Sequence, residues 1–383
     1  MVAKLEDFLT VKNSYAQRLL KPSIQAGVLH QRRHIHVADA AASAGRNVHA
    51  IGVGSKMVAG KPSGDICIRI YVLQKLPKSL IAPHFHLPAM LDGLPTDIIE
   101  SAPAVLLGKR IDSAKISGSA KAKSSGSIRR SGHIAQINAN IQRSVAMNDD
   151  CSTYKLQSMQ RPLFGGISAA NSGVIAGTLG CFCRSTREED NKDAKFILSN
   201  RHILGRIDSE PDDGTILQPS MGDGGTSDKW VARYARGAEL DLSSDANNKV
   251  DAAIAEIRPD INVKFEVCGI GALGSPVTVA TEEVVRKCGE ATGLTKGVVR
   301  DISCHAYIPL PVDPPRLLCL IDQIRIEPID GDAFINPGDS GSIVVGGTSN
   351  GVVGLICGGD PNTGWAIANP IKNVLESLQI ELL

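Results

Sequence analysis

Asn336-Pro337-Gly338-Asp339-Ser340-Gly341-Ser342 decides how the rest of this chain is read. A serine hydroxyl is a weak nucleophile unless a base stands beside it and a tight, open turn presents it. Glycines at 338 and 341 let the backbone turn sharply and approach a substrate closely. The N–H groups of Gly338 and Ser340 then converge on one small space, as an oxyanion hole requires. The stretch therefore predicts Ser340 as a nucleophile, provided that a base and an orienting acid lie elsewhere in the chain.

The base is expected at His202. Phe196 to Leu204 (FILSNRHIL) is an apolar run broken by Ser199-Asn200, which reads as a buried strand entering a short turn. The chain has nine histidines, and the sequence context favours His202. It would take the proton of Ser340 and return it to the leaving amine. Val250 to Ile257 (VDAAIAEI) alternates like a half-buried strand and opens with an acid, Asp251. Asp251 follows His202 by 49 residues and precedes Ser340 by 89, so it falls between the two in chain order. Its role would be to fix the histidine tautomer and stabilise the imidazolium. Asp241 and Asp245, in a polar run, are its rivals.

Taken together, Gly-Asp-Ser-Gly, the strand ending at His202 and the Asp251 segment resemble the chymotrypsin/trypsin-like serine peptidases over about 220 residues, from near Gly165 to the end. Ser172 to Cys183 looks like the first barrel strands. Lys287 to Gly297 (KCGEATGLTKG) resembles a stretch of bacterial relatives, with Glu290 in place of the usual Arg. Val352 to Gly359 looks like the strand lining the primary pocket, and Ala368 to Leu378 like the closing helix. Gly52-Val53-Gly54-Ser55-Lys56 and Leu94-Pro95-Thr96-Asp97 are similar to the extra domain of a bacterial group of intracellular peptidases related to the plant narrow-leaf protein. The resemblance implies a mainly β fold: a double six-stranded antiparallel β-barrel preceded by a small α/β domain. It implies peptide-bond hydrolysis through an acyl-enzyme on Ser340, with no cofactor and no metal. The residue six before the nucleophile would floor the primary pocket, and here it is Phe334. With Ile335, Leu355, Ile356, Cys357 and Gly358 it implies an apolar pocket unsuited to Lys or Arg. No activation cleavage site stands out, since Arg161 precedes Pro162, so Asp339 is expected to pair inside the barrel.

The chain has 383 residues, 43% of them hydrophobic and 4% aromatic, with 38 glycines; this composition suits many short strands and about two domains. Expected boundaries are 1–108 for the α/β domain, 109–150 for a linker and 151–383 for the peptidase domain. Helix-like periodicity runs through 5–45. Strands are expected at 48–54, 66–72 and 95–102, the first two joined by a turn over Gly60 to Asp65. Residues 109–132 (KRIDSAKISGSAKAKSSGSIRRSG) carry a net charge of +6 and too little apolar surface to order themselves, which reads as a solvated linker. The whole chain carries only +1, so no specific nucleic-acid partner is indicated. No apolar run reaches membrane-spanning length and the first residues lack a signal-peptide core, so a cytoplasmic protein with reduced, buried cysteines is expected. The expected partner is a protein or peptide substrate. A regulatory partner on the N-terminal domain and homo-oligomerisation are compatible with the sequence.

Other motifs carry less. Gly269 to Gly274 matches G-x-G-x-x-G, but Ser275 to Val279 reads as a strand, so no helix N-terminus awaits a pyrophosphate. Gly60-Lys61-Pro62-Ser63 lacks the residues of a phosphate loop. Asp208, Glu210, Asp212 and Asp213 lack the ligand periodicity of a calcium loop. Cys304 and His305, adjacent on a strand, point to opposite faces. Two other readings remain compatible with the motifs: a silent scaffold on a peptidase fold, or a conditional effector peptidase in stress response or phage defence.

Overall fold

A computed structural model describes residues 3–20, 47–107, 155–205, 207, 214–243, 246–310, 316–329 and 331–383, and the backbone of 109–110. The expected linker beyond 110, Asp245, and the acids at 208, 210, 212 and 213 lie outside the described residues.

The chain begins with α1 (Leu5–Leu19), followed by the hairpin β1 (Val48–Val58) and β2 (Lys61–Val72). The hairpin is tighter than expected. Val58 pairs with Lys61, leaving Ala59 and Gly60 at φ +51° and +79° as a two-residue turn, the loop whose twist suits paired strands. Then come β3 (Met90–Leu91) and β4 (Leu94–Glu100), with β4 parallel to β2. Two short strands follow, β5 (Val105–Leu106) and β6 (Lys109–Arg110).

The middle of the chain carries β7 (Leu163–Gly165), β8 (Ala170–Asn171), β9 (Val174–Ala176), β10 (Cys181–Ser185), β11 (Phe196–Ser199), the single turn α2 (Arg201–Leu204), β12 (Thr215–Leu217), β13 (Trp230–Gly237), β14 (Ala253–Ile257) and β15 (Val263–Val267). Pairing runs β10–β11–β14–β13–β12–β8. Residues 166–169 then bond back to 177–179 just before β10. The ring of six strands closes, which leaves no open edge within it.

The last part carries β16 (Val284–Gly289), β17 (Gly293–Leu310), β18 (Arg316–Pro328), β19 (Ile343–Gly346), β20 (Val352–Asp360), β21 (Trp365–Pro370), α3 (Ile371–Leu378) and β22 (Ile380–Leu382). Pairing runs β16–β19–β20–β21–β18–β17 and returns to β16, a second closed ring of six antiparallel strands. The double six-stranded barrel read from the sequence is present. Val277 meets Val352 only through an isolated bridge at Pro276, so the strand expected at 275–279 does not form; no helix forms there either.

The α/β part does not stand apart from the second barrel. β17 is 18 residues long; its first half closes the barrel and its second half pairs with β1. Gly52 and Gly54 permit that approach. A Cβ on Gly54 would lie 1.9 Å from the Arg300 carbonyl oxygen, and one on Gly52 2.8 Å from the Asp301 carboxyl carbon. Buried Asp301 accepts the Tyr71 hydroxyl and faces the Arg69 guanidinium at 3.4 Å. On the other face, Phe8 and Ala16 of α1 pack in one apolar cluster with Val53, Ile70, Tyr307 and Leu317. Lys12, fully buried, donates to Ser303 (2.7 Å) and Asp322 (2.9 Å).

Seven described cysteines are buried thiols, as expected, whereas Cys268 is disulfide-bonded. This corrects the expectation of a wholly reduced set; irregular spacing hides a pairing that depends on Cα positions in space.

Candidate active site

The site lies where the two barrels meet. β11 delivers Asn200 as the cap of α2, and the first turn of that helix carries His202. The Asn200 amide donates to the Asp251 carbonyl at 2.8 Å, tying the two loops together. Asp251, fully buried, accepts the His202 backbone N–H at 3.2 Å and, through its other oxygen, the ring Nδ1–H. With the proton on Nδ1, the lone pair lies on Nε2, which is buried and has no hydrogen-bond partner among the described residues. Asp241 is elsewhere, exposed and bonded to Ser243.

Ser340 sits on the turn before β19. Gly338 and Gly341 adopt φ +117° and +94°, conformations an L side chain resists. A Cβ on Gly341 would also meet the Ser199 hydroxyl at 2.1 Å and the Thr178 carbonyl oxygen at 2.3 Å. Thr178 clamps the turn from the first barrel, its hydroxyl donating to the Gly338 carbonyl (2.8 Å) and its N–H to the Ser340 carbonyl (2.9 Å). Asn369 joins the acid to the serine side. It accepts the Asp251 N–H at 2.8 Å and donates to the Cys357 sulfur at 3.2 Å, while the Cys357 carbonyl faces the Ser340 hydroxyl at 3.5 Å.

Asp339 has an internal partner. The Lys287 ammonium lies 3.2 Å from its carboxylate, and both side chains are fully buried. The N–H groups of Ala291 (3.1 Å), Thr292 (3.2 Å) and Asn336 (2.8 Å) and the Thr292 hydroxyl (2.7 Å) complete the cage. Glu290, where relatives are expected to carry Arg, packs against the Gly338 Cα and accepts the Gln157 amide at 2.9 Å. Burial pushes its carboxyl up to about 7.

The residues expected to line the pocket divide. Phe334, Ile335 and Ile356 share one apolar cluster with Leu107. Gly358 instead pairs with Leu106 through the backbone, and Cys357 packs with Ala104. Leu355 lies apart from these, in the cluster that joins Ile343 and Val352 to the apolar residues of the first barrel, because neighbours on a strand face opposite ways. The sequence does not mark Lys287, Asn369, Thr178 or Leu107 as site residues. Lys287 lies within the Lys287–Gly297 stretch; Leu107 carries no signal, being one apolar residue among many.

Among the described residues, no group of three or more His, Cys, Asp or Glu side chains is placed to hold a metal ion. No described helix is long and apolar enough to cross a membrane. The chain matches no family model and no curated protein. Solved structures similar to it are serine proteases of the chymotrypsin fold. Protease A of Thermobifida fusca is 16% identical, with 57% of this chain and 97% of that one covered and a TM-score of 0.40. A chymotrypsin of Cellulomonas bogoriensis is 16% identical over 57% and 97%, with a TM-score of 0.38. A glutamic acid specific serine protease is 16% identical over 58% and 100%, with a TM-score of 0.39.

Proposed function

We propose that this chain is a serine endopeptidase with Ser340 as nucleophile, His202 as base, Asp251 as orienting acid, and the N–H groups of Gly338 and Ser340 as the oxyanion hole. The observation that carries this reading is the buried His202–Asp251 pair, joined through Asn369 and Cys357 to the serine turn while Nε2 stays free to accept a proton. Ser340 Oγ attacks the scissile carbonyl as His202 takes its proton. The amine leaves with that proton, and water then hydrolyses the acyl-enzyme. Phe334, Ile335 and Ile356 offer an apolar pocket without a carboxylate, which favours an apolar residue before the scissile bond over Lys or Arg. Lys287 satisfies Asp339 from within the barrel, so the serine turn needs no new N-terminus to hold its shape.

Fluorophosphonate labelling, located by peptide mass, tests the nucleophile. Label is expected on Ser340 and absent in His202→Ala. In peptide hydrolysis, Ser340→Ala, His202→Ala and the double variant should lose equal activity, because the residues act as a unit. Asp251→Asn should cut turnover by about 10⁴ with the fold intact, and Asp241→Asn should leave it unchanged. Label on another residue, or additive losses, overturns the assignment.

A further inference from the structure

The site already holds a peptide, and the peptide is this chain. After β4 the backbone is fastened at Ser101, whose N–H donates to the Val72 carbonyl (3.0 Å), whose carbonyl meets His49 Nε2 (2.8 Å), and whose hydroxyl accepts from Arg325 (3.3 Å). From there the chain crosses the site. β5 lies antiparallel on β20, with Val105 opposite Gly359 and Leu106 opposite Gly358. This is the way an extended peptide adds to a sheet edge: main-chain pairing supplies affinity and alternate side chains enter pockets. Gly358 keeps that edge open, since a Cβ there would lie 2.7 Å from the Val105 carbonyl oxygen.

The next residue is Leu107. Its carbonyl oxygen accepts the Gly338 N–H at 3.0 Å, within the 2.7–3.1 Å at which an oxyanion-hole donor works. Its side chain is 2% exposed, in the cluster of Phe334, Ile335 and Ile356. Farther along, β6 pairs with β9 on the first barrel, Lys109 opposite Ala176 and Arg110 opposite Val174. The backbone is thus held on both sides of the Leu107 carbonyl, by one barrel before it and by the other after it. With it in place, Ser340 is fully buried and His202 is 3% exposed.

We propose that residues 104–107 are the built-in substrate of this site and that Ser340 cuts the chain's own Leu107–Gly108 bond; this rests on the endopeptidase reading above. Ser340 Oγ adds to the Leu107 carbonyl carbon while His202 Nε2 takes the hydroxyl proton. The Gly338 N–H holds the resulting oxyanion. Collapse breaks the Leu107 C–Gly108 N bond, and His202 returns the proton to the nitrogen, which becomes a new N-terminus. Water, activated by the same histidine, releases Leu107 as a carboxylate and restores Ser340. One water is consumed and one peptide bond lost. Until the carboxyl end of 104–107 withdraws, it blocks other substrates, so the same segment sets both the first cut and the access that follows.

The test uses the full chain, purified as wild type, Ser340→Ala and Leu107→Asp, followed by intact mass and N-terminal sequencing. Wild type should convert into 1–107 and 108–383, with Gly108 as the new N-terminus and a rate independent of protein concentration. Ser340→Ala should stay whole. Leu107→Asp should slow the cut at least about tenfold, since the pocket would receive an unpaired charge, and should label faster with a fluorophosphonate. Thermal melting establishes that both variants are folded. A wild-type chain that labels on Ser340 yet stays whole overturns self-cleavage and leaves the peptidase reading standing. So does a cut elsewhere, or a rate that rises with concentration. If neither wild type nor Leu107→Asp labels, the peptidase reading fails and self-cleavage fails with it.

Discussion

Glu290 shows how one side chain ties the serine turn to pH. It occupies a position where a cation is expected, and it leans on Gly338, whose N–H is proposed to serve the oxyanion hole. Burial raises its carboxyl from the usual 4.5 to about 7, against the pull of the Gln157 amide. The folded chain therefore keeps this proton across a window in which the unfolded chain has lost it. Stability from this group is whole below about pH 4.5 and is lost as pH rises through about 7, a change on the order of 3 kcal/mol. Glu290→Gln, an amide at every pH, should remove that decline. Urea unfolding at pH 5 and pH 8 measures it: the difference between the two pH values should shrink in the variant, and an unchanged difference would show that the decline arises elsewhere.

At the scale of the element, the serine turn and the β16–β17 hairpin form one unit. Lys287 on β16 and Thr292 at the hairpin tip hold Asp339, so the turn is braced by a strand that carries none of the proposed catalytic residues. Lys287→Met should leave the carboxylate buried without its cation and cost about 3–5 kcal/mol. Chemical denaturation should register that loss, and peptide hydrolysis should fall with it because Gly338 and Ser340 share the turn. A variant as stable as wild type would place the bracing elsewhere. The sequence made such elements legible where chemistry forces residue type. The glycines at 338 and 341 answer positive φ, and the break at Ser199-Asn200 marks the cap that carries His202. It was blind where only position in space matters. Nothing in Ala-Val-Leu-Leu distinguishes β5 from other apolar tetrapeptides; its role comes from pairing with β20, some 250 residues away. The run Val352 to Gly358 is apolar throughout, so no alternation reveals which face Leu355 takes. The 275–279 segment has strand-like residues but only a single bridge partner, and propensity does not report that.

At the scale of the whole molecule, the N-terminal part and the second barrel share one sheet, and this bears on what a cut between them does. β17 and β18 extend past the barrel as a long hairpin, and β1 adds to its edge over residues 50–54. Behind that seam, Phe8, Val53, Ile70, Tyr307 and Leu317 form a core to which both parts contribute. Lys12 fastens α1 to Ser303 and Asp322 of the hairpin; hydrogen bonding from His305 and the Lys12 charge hold Asp322 well below the usual carboxylate range. None of these contacts runs through residues 108–132. Cutting the chain there, by its own serine or by an added protease acting on the basic stretch, therefore severs one strand of backbone and leaves the sheet and the shared core in place. The two fragments should co-elute in size-exclusion chromatography at the volume of the uncut chain and separate only in denaturant. A Lys12→Met, Tyr307→Asp double variant, which strips the ammonium from the hairpin and puts a charge into the shared core, should let them part after cutting. Fragments of the wild-type chain that separate without denaturant would mean that the pairing of β1 with β17 depends on the intact connection.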